Sequence, residues 1–511
     1  MKRWRFSVVV ACALAPLFAA SCGTDDPVDE GCGGLPACEN GLSCQVAPNG
    51  QQGCYCQVGT AAGCGAGLEC QAVAGAAPGC FCSALDQTGC ADTETCEQVV
   101  GANTGCFPAV HVKGLVFDLT TDAAIEGAIV VARDANNVAV SELAVTDATG
   151  HYDLVVPTPR LADGTLTENA VTLRADAEGY LTFPRPPRVA LPFDTANATG
   201  TPLTVETPAT DVGLIPLANT TGLGTITGHV LAPHAQGTLV VAGGAAGQGG
   251  AVTGVADFDG SYTVFNVPAG SVAVHGYAVG LQLADATADV TAGQVTPDVD
   301  LASLGAATAV VSGSVQIVNP GNGSETSVIL VVDETFNPDA ASGETPPGLR
   351  IYPVSGAFEI PGVPDGNYAV LAAFENDFLV RDPDTSIAGT DVVHITVSGQ
   401  SLSISEGFKI TGSLDDVSPD AEEVVSGTPT FVFADDSGED HYEIAVYDVF
   451  GTLVWQDLAI PGVSGSATVS VDYAGPALVS GMLYQFRATS IKGGGTPLSR
   501  TEDLRGVFLY Q

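Results

Sequence analysis

Basic residues are scarce in this sequence. Its 511 residues contain 16 Lys+Arg against 58 Asp+Glu, which gives a formal net charge of -42 and a pI near 4.1. A chain with this charge cannot neutralise the phosphates of DNA or RNA, so nucleic acid is not an expected partner. The same excess of carboxylates would attract cationic partners or divalent ions.

Long apolar runs are lacking after the first 20 residues, so we expect no second membrane segment. At the start, Lys2, Arg3 and Arg5 precede an apolar stretch over residues 8–20. That stretch is too short to span a bilayer, and a basic start followed by a short apolar run is typical of an export signal. The pattern predicts a signal peptide over residues 1–21.

The end of this signal has a motif of its own. The sequence Ala-Ala-Ser-Cys that ends at Cys22 resembles the lipobox of bacterial lipoproteins, with Ala19 where Leu is more usual. The resemblance implies cleavage after Ser21, acylation of Cys22 and, because Gly23 is not Asp, sorting to the outer membrane. The alternative is an ordinary signal peptide that leaves Cys22 as a free thiol. Residues 22–31 are polar and acidic, which predicts a tether.

Cysteine is absent after residue 106, and twelve cysteines after Cys22 lie in one segment. Most of them recur every 26 residues, in three groups of four. Repeats of this size cannot bury enough apolar surface to fold unaided, and an even count in an exported chain predicts disulfides. The twelve are Cys32, Cys38, Cys44, Cys54, Cys56, Cys64, Cys70, Cys80, Cys82, Cys90, Cys96 and Cys106. We therefore predict three four-cysteine repeats over residues 32–107.

The pairing within each repeat stays open, because four cysteines allow three pairings. Zinc or iron–sulfur ligation is the alternative, but the segment lacks Cys-x-x-Cys and has only Cys54-x-Cys56 and Cys80-x-Cys82. The repeats resemble small cysteine-rich modules of exported proteins, including EGF-like modules. This resemblance implies either a rigid spacer or ligand recognition by the loops between the cysteines.

Strand patterns replace cysteine from Val110 onwards. Over residues 171–176, apolar side chains alternate with Thr, Arg174 and Asp176, which predicts a strand whose polar side chains face solvent. Gly, Pro, Asn and Asp interrupt such segments at short intervals, as in β-sandwiches, and no long amphipathic helix is found. We predict an all-β protein of tandem β-sandwiches, preceded by a disulfide-rich, loop-dominated repeat segment.

A two-part motif recurs in this region. Its first part, an apolar residue on each side of x-Gly-x, is centred on Gly114, Gly228 and Gly313. Its second part places a glycine two residues before Tyr152, Tyr262 and Phe358. The motif resembles the carboxypeptidase regulatory-like domain, a transthyretin-like β-sandwich, most closely in the first copy. The resemblance implies sandwiches over residues 108–217, 222–302 and 305–415, and it implies no activity.

The last segment has a different pattern. Phe433, Trp455 and a closing Gly-x-x-Tyr-x-Phe-x-Ala motif around Tyr484 resemble a fibronectin type III domain over residues 416–511. By this resemblance Tyr484 is the tyrosine-corner residue, and Phe433 stands where that family often has Trp. The sequence leaves open whether the strand near Ile410 ends the third sandwich or begins another.

Catalytic motifs are missing from the sequence. No histidine has a Glu three residues later, so the zinc site of the peptidase that gave the regulatory-like family its name is absent. Nucleophilic triads, phosphate loops and dinucleotide fingerprints are absent as well. We therefore expect a non-enzyme without catalytic residues or an obligatory cofactor.

Calcium is the one candidate ligand for the acidic loops, since hard carboxylate oxygens suit it. The candidate ligands are Glu375, Asp377, Asp382, Asp384 and Asp391. The alternative is a solvated loop with no metal. A second acidic loop has the same two interpretations and contains Asp435, Asp436, Glu439 and Asp440. Asp257 begins a stretch that resembles a calcium loop, but no bidentate Glu follows at the needed spacing, and we interpret it as a turn.

Together the patterns predict a non-enzymatic lipoprotein at the bacterial outer membrane, held there by its N-terminal lipid. Its role would be structural, adhesive or protein-binding, and its partner an unidentified surface protein or polysaccharide. The alternative is carbohydrate binding, because starch-binding-like domains share this sandwich topology. Sugar sites need exposed aromatic side chains, for which Trp455, Tyr442 and Tyr447 are the candidates, although their strand positions favour a core.

Overall fold

The structure is a computed structural model of the chain, and strands dominate it. It describes residues 42–511 except for 49–51, 135, 186–187, 245–249, 319–324, 339–341, 376–381, 384–391, 406, 412, 420–422, 437, 494 and 502–504. The predicted signal peptide (1–21), tether (22–31), Cys22, Cys32 and Cys38 lie outside the described residues. The all-β prediction and the disulfide-rich first segment are confirmed.

Helical structure is limited, within the described ranges, to short 3₁₀ turns at Thr195–Asn197, Pro208–Thr210 and Asp333–Thr335. None of the helices among these residues has the length and apolar character needed to cross a membrane. The chain divides into two compact units, Met1–Cys80 and Phe81–Gln511. This division falls inside the predicted cysteine-rich segment, so that the third repeat belongs to the unit that contains the sandwiches.

The cysteine repeats form two-stranded sheets. In the first unit β1 pairs antiparallel with β2, and β3 pairs with β4, whose last two residues lie beyond the unit's end. In the second unit β5 pairs antiparallel with β6. The strands are β1 (Ser43–Val46), β2 (Gln52–Tyr55), β3 (Leu68–Gln71), β4 (Gly79–Cys82), β5 (Glu94–Glu97) and β6 (Gly105–Pro108).

The first sandwich has two sheets, with strand orders β10-β7-β13, in which β14 also pairs with β7, and β12-β11-β8-β9. Its strands are β7 (Val110–Asp118), β8 (Ile129–Arg133), β9 (Ala144–Val145), β10 (His151–Val155), β11 (Ala170–Asp176), β12 (Phe193–Asp194), β13 (Leu203–Val205) and β14 (Val212–Leu214). Residues that alternate along β7, such as Val110, Val112 and Val116, are fully buried between the sheets.

The second sandwich repeats this arrangement, with orders β18-β15-β23-β20, in which β22 pairs with β15, and β17-β16-β19-β21. Its strands are β15 (Leu223–Leu231), β16 (Leu239–Ala242), β17 (Val252–Val255), β18 (Ser261–Pro268), β19 (Gly270–Tyr277), β20 (Leu281–Leu283), β21 (Ala286–Val290), β22 (Val295–Thr296) and β23 (Leu301–Ala306).

The third sandwich has orders β27-β24-β31, in which β32 pairs with β24, and β26-β25-β28-β29, in which β30 pairs with β28. Its strands are β24 (Ala309–Val318), β25 (Glu325–Val332), β26 (Arg350–Val354), β27 (Ala357–Val363), β28 (Gly366–Glu375), β29 (Asp382–Pro383), β30 (Val393–Val397), β31 (Leu402–Ser403) and β32 (Phe408–Thr411). Because β32 pairs in parallel with β24, the strand near Ile410 ends this sandwich.

The C-terminal sandwich has orders β33-β35-β38 and β34-β41-β39-β36-β37, in which β40 pairs with β39. Its strands are β33 (Asp416–Ser418), β34 (Glu423–Val425), β35 (Thr430–Ala434), β36 (His441–Asp448), β37 (Leu453–Pro461), β38 (Thr468–Asp472), β39 (Leu483–Lys492), β40 (Thr496–Arg500) and β41 (Val507–Tyr510). Phe433 is fully buried, and the Tyr484 hydroxyl accepts a hydrogen bond from the Val479 amide at 2.9 Å.

The two halves of the recurring motif meet across one strand pair. In the first copy Tyr152 stands opposite Gly114, and its hydroxyl donates to the Thr210 carbonyl oxygen at 2.5 Å. A Cβ added at Gly114 would lie 2.0 Å from that same oxygen. Only glycine therefore allows the closing segment to approach β7, and the ring covers the space that the glycine leaves. The second and third copies likewise place Tyr262 opposite Gly228 and Phe358 opposite Gly313.

Candidate functional site

The second and third cysteine repeats each contain two disulfides with the same connectivity. Their first cysteine bonds to their third, and their second to their fourth, with sequence separations of 14 and 16. The four bonds are Cys56–Cys70, Cys64–Cys80, Cys82–Cys96 and Cys90–Cys106. Cys44 and Cys54 are also disulfide-bonded. Although sulfur atoms converge within 4.8 Å in both repeats, as a metal site would require, these cysteines are oxidised.

The third repeat packs against the first sandwich through backbone and side-chain contacts. Val99 and Arg160 form a parallel bridge, in which the Val100 amide donates to the Arg160 carbonyl oxygen at 2.8 Å. The Arg160 guanidinium donates to the carbonyl oxygens of Pro108 at 2.6 Å and Gly164 at 3.1 Å, and it lies over the Phe107 ring. These contacts connect the repeat to the loop after β10.

The same repeat contacts the second sandwich. The Asp86 carboxylate lies 2.5 Å from the His234 Nδ1 atom, and the Gln236 side chain donates to the Leu85 carbonyl oxygen. The third repeat is therefore held by two sandwiches. Leu85, Asp86, Val99 and Val100 lie between its cysteines, and Phe107 and Pro108 directly follow the last one.

A buried carboxyl lies at the contact with the first sandwich. Glu97 is 1% exposed, and its carboxyl accepts a hydrogen bond from the Thr95 hydroxyl. Burial raises the pKa of Glu97 to about 7, against the lowering effects of the Thr95 hydroxyl, the Arg160 charge and a hydrogen bond to the Thr158 backbone. Such a carboxyl changes charge near neutral pH, which an exposed glutamate does not.

A cluster of buried charges joins the first three sandwiches. Arg174 of the first sandwich is fully buried and contacts Asp176 at 2.5 Å and Glu344 of the third sandwich at 2.7 Å. Arg133 pairs with the same Glu344, and the Arg174 guanidinium also donates to the Thr253 hydroxyl of the second sandwich at 2.7 Å. We call these five residues the arginine junction. An ion pair between Arg350 and Asp134 adds a further contact between the first and third sandwiches.

The charges of the arginine junction stabilise one another. Burial alone would raise the pKa of Glu344, but Arg133 and Arg174 lower it below its ordinary value. Burial alone would lower the pKa of Arg174, but Asp176 and Glu344 raise it. The ionised forms of Glu344 and Arg174 are therefore favoured, whereas burial lowers the pKa of Arg133 in spite of its pairing with Glu344. The contribution of Glu344 is complete at neutral pH and is lost as the pH falls through its lowered pKa.

The alternation over residues 171–176 predicted a solvated face for Arg174, and this prediction is wrong. The strand β11 does alternate, but Thr253 and Glu344 from neighbouring sandwiches cover the polar side of Arg174. Alternation identifies the two faces of a strand and cannot tell water from another domain. The signal that could have found the site is the scarcity of arginine in a chain with 58 acidic residues.

The C-terminal sandwich also packs on the first sandwich. Val449, Leu483 and Val507 belong to the same buried cluster as the core of the first sandwich. Arg188 donates to the carbonyl oxygens of Phe450 at 2.9 Å and Gly213 at 2.7 Å, and burial lowers its pKa to about 10. The first sandwich thus contacts the third repeat and each of the other three sandwiches.

The acidic loops are placed as follows. Asp377, Asp384 and Asp391 of the candidate calcium site lie outside the described residues, as do the side chains of Glu375 and Asp382. In the second acidic loop, the Tyr442 hydroxyl donates to Asp435 at 2.7 Å, and the Ser490 hydroxyl donates to Asp436 at 2.7 Å. Partners from the protein thus occupy part of this carboxylate cluster.

A cleft of about 270 Å³ lies between the first and second sandwiches. Leu143 and Val145 line one side, and His229, Asp257 and Asp298 line the other. The Asp257 carboxylate accepts hydrogen bonds from the Leu143 and Phe258 amides, at 3.3 and 2.9 Å. Asp257 therefore stabilises a turn and a domain contact.

The aromatic residues considered for sugar stacking take part in packing. Tyr442 is fully buried, and Trp455 is half-buried between Phe431 and Tyr473, with ring centroids 6.2 and 5.1 Å away. Tyr447 is half-buried beneath the Arg487 guanidinium at 5.7 Å. These side chains stabilise the C-terminal sandwich, as their strand positions suggested.

No family model matches the chain, and no curated protein matches it in sequence. Among solved structures, BcpA, the major pilin subunit of Bacillus cereus, aligns at 12% identity over 60% of this chain and 99% of its own, with a TM-score of 0.16. A DUF3823 family protein from Bacteroides ovatus aligns at 12% identity over 39% of this chain and 97% of its own, with a TM-score of 0.20. A tetra-tandem repeat from a large adhesion protein aligns at 15% identity over 78% of this chain and 99% of its own, with a TM-score of 0.14. At TM-scores this low, these similarities carry no argument about function.

Proposed function

We propose that the chain is a non-enzymatic lipoprotein of the bacterial cell surface, with a structural, adhesive or protein-binding role. The observation that carries this proposal is the use of charge inside the second unit. Two of the scarce arginines, Arg133 and Arg174, are buried at a junction between sandwiches, and the half-buried Arg188 lies at another, where they hold domains together. Buried ion pairs that lose one partner are strongly destabilising, so this arrangement favours a fixed assembly of sandwiches over independently moving modules. A fixed assembly suits the presentation of a surface.

The N-terminal sequence supports the proposed location. The basic and apolar start, followed by Ala-Ala-Ser-Cys, would direct export and acylation of Cys22. Disulfides in residues 56–106 agree with an oxidising compartment outside the cytoplasm. The carboxypeptidase regulatory-like and fibronectin type III names remain proposals for the sandwiches, supported by the glycine–aromatic pairs and by the Tyr484 contact.

The location is tested by expressing the full chain in a bacterium that has an outer membrane, in the presence of an alkyne fatty acid. We expect the fatty acid on the native chain, protease sensitivity on intact cells, and loss of both in Cys22→Ala. A C22A chain that still fractionates with the outer membrane would contradict the anchor.

The role is tested by adhesion of the same cells to one another and to surfaces, compared with cells that carry C22A. Increased adhesion by the anchored chain alone supports the proposal. A glycan array probed with the mature chain separates the carbohydrate-binding alternative. Reproducible glycan binding that Trp455→Ala removes would overturn the proposed role.

A further inference from the structure

The contact between the third repeat and the first sandwich contains a group that the proposed function does not use. Glu97 ends β5, and its side chain is buried where the repeat meets the segment around Arg160. The repeat supplies the Thr95 hydroxyl, which donates to this carboxyl, and the sandwich supplies a backbone hydrogen bond from Thr158. The carboxyl therefore lies between the two surfaces.

The nearby cation directs its two terminal nitrogens to other partners and leaves its Nε atom buried without a hydrogen bond among the described residues. Arg160 is 2% exposed, and its two terminal nitrogens donate to the carbonyl oxygens of Gly164 and Pro108. Its charge favours an ionised Glu97, but the desolvation of the carboxyl has the larger effect. A carboxylate here would lose its hydration without gaining hydrogen bonds from the guanidinium, whereas a neutral carboxyl fits the site.

The equivalent position of the second repeat has no titratable group. Gln71 lies 26 residues before Glu97, on the same side of an equivalent disulfide, and its amide donates to the Glu69 carboxylate at 2.8 Å. The acidic side chain is therefore not required by the disulfide framework of a repeat. It occurs in the third repeat, at the contact with the first sandwich.

We propose that the third repeat is held on the first sandwich by a proton-dependent latch, in which neutral Glu97 closes the contact and its ionisation loosens it. The groups that face Glu97 are Arg160 and the Thr158 backbone from the sandwich, and Thr95 from the repeat itself. When the latch loosens, the segment from Glu97 to Val100 separates from Arg160, and the disulfides keep the repeat folded. The contact of Asp86 with His234 then remains as the second attachment.

The direction of the pH effect follows from the two states of Glu97. In the closed contact its pKa is about 7, whereas the ordinary value for a glutamate is 4.5. At a pH between these two pKa values, Glu97 therefore takes up a proton when the contact closes. The closed form is favoured in acid, weakens by about tenfold per pH unit between about pH 5 and pH 7, and changes little above that.

Hydrogen exchange of the full mature chain, with disulfides intact, tests the latch between pH 5 and pH 8. After correction for the intrinsic exchange rate, protection of the Val100 and Arg160 amides should fall by about tenfold per pH unit up to pH 7 and then level off. These amides donate to Arg160 and Gln98 across the contact. The Cys70 amide, which donates to Thr60 within the second repeat, is the control in the same sample and should show no such slope.

The variant Glu97→Gln keeps the shape of the side chain and removes its proton. In E97Q the protection of both amides should be independent of pH across the same range. A flat profile in the native chain overturns the latch whatever the variant does, so the test does not depend on E97Q folding. A sloping profile that persists unchanged in folded E97Q overturns it as well, because another group would then be the titrating one.

Discussion

The second and third cysteine repeats share a covalent framework and differ in the residues between their cysteines. Both pair their cysteines in the same order, and in both the fourth cysteine's sulfur contacts the carbonyl oxygen of a glycine, Gly63 or Gly89. Thr60 of the second repeat and Asp86 of the third occupy equivalent positions. The Thr60 hydroxyl forms hydrogen bonds within its own loop, whereas the Asp86 carboxylate pairs with His234 of the second sandwich. The two repeats thus share the order of their disulfides, and the residues between the cysteines differ in the partners with which they bond.

The largest expected effect comes from breaking the assembly on which the third repeat packs. Glu344→Ala leaves Arg133 and Arg174 buried without their shared partner, which should cost the second unit about 3–5 kcal/mol of unfolding free energy. Denaturant unfolding measures this loss, and hydrogen exchange should show weaker protection in the third repeat than in the second. Glu359→Ala, at an exposed position of the same sandwich, is the control. Equal loss in both repeats would contradict the comparison.

Removing one disulfide from each repeat tests how far the surroundings can replace it. The double variants C56S/C70S and C82S/C96S each remove a bond that closes 14 residues and should cost about 3 kcal/mol within the repeat. Because Val99 and Val100 keep their contacts with Arg160, the third repeat should retain protection there, whereas the second repeat should lose protection at the Gly59 and Cys70 amides, whose hydrogen bonds lie within the repeat. Hydrogen exchange of both variants measures this. The comparison fails if the third repeat loses as much as the second.

A smaller effect is expected from the arginine that joins the third repeat to the first sandwich. Arg160→Ala removes two hydrogen bonds to carbonyl oxygens and the contact with the Phe107 ring, at a cost of about 2 kcal/mol. Limited proteolysis should then cut faster between residues 97 and 104, with the second repeat unaffected. Arg185→Ala, at an exposed position of the same sandwich, should change neither. Cleavage of R160A at the native rate would show that the backbone bridge between Val99 and residue 160 is enough to hold the repeat on the sandwich.

The last prediction involves no substitution and no change in stability. It extends the comparison to the disulfide pairing of the first repeat. If connectivity follows the repeat, Cys32 should bond to Cys44 and Cys38 to Cys54, although Cys32 is two residues out of phase. Peptide mapping of the unreduced chain by mass spectrometry identifies these bonds. Either of the other two pairings would show that the shifted cysteine changes the framework.

Much of the fold could be predicted from the sequence because its signals are local. Alternation, turn residues and the glycine–aromatic motif fix strands and hairpins, and Gly114 and Tyr152 do meet across one strand pair. The arginine junction could not be predicted in this way. Arg174 obeys the alternation of β11, and its burial depends on Thr253 and Glu344, which lie 79 and 170 residues away in sequence. An alternation of apolar and polar residues along a strand contains no information about which domain covers either face of that strand.

By itself the sequence determined an acidic all-β chain, a repeated cysteine framework and the strand patterns of its sandwiches, because composition, spacing and periodicity act over a few residues. The tertiary structure alone decided where the scarce positive charge is used. Arg133 and Arg174 are buried and Arg188 is half-buried at junctions between sandwiches, where carboxylates or carbonyl oxygens replace the water they lose. It also decided that Glu97, one of many acidic residues, lies in a contact that excludes water. Desolvation is a property of what surrounds a residue, and only the packed chain supplies those surroundings.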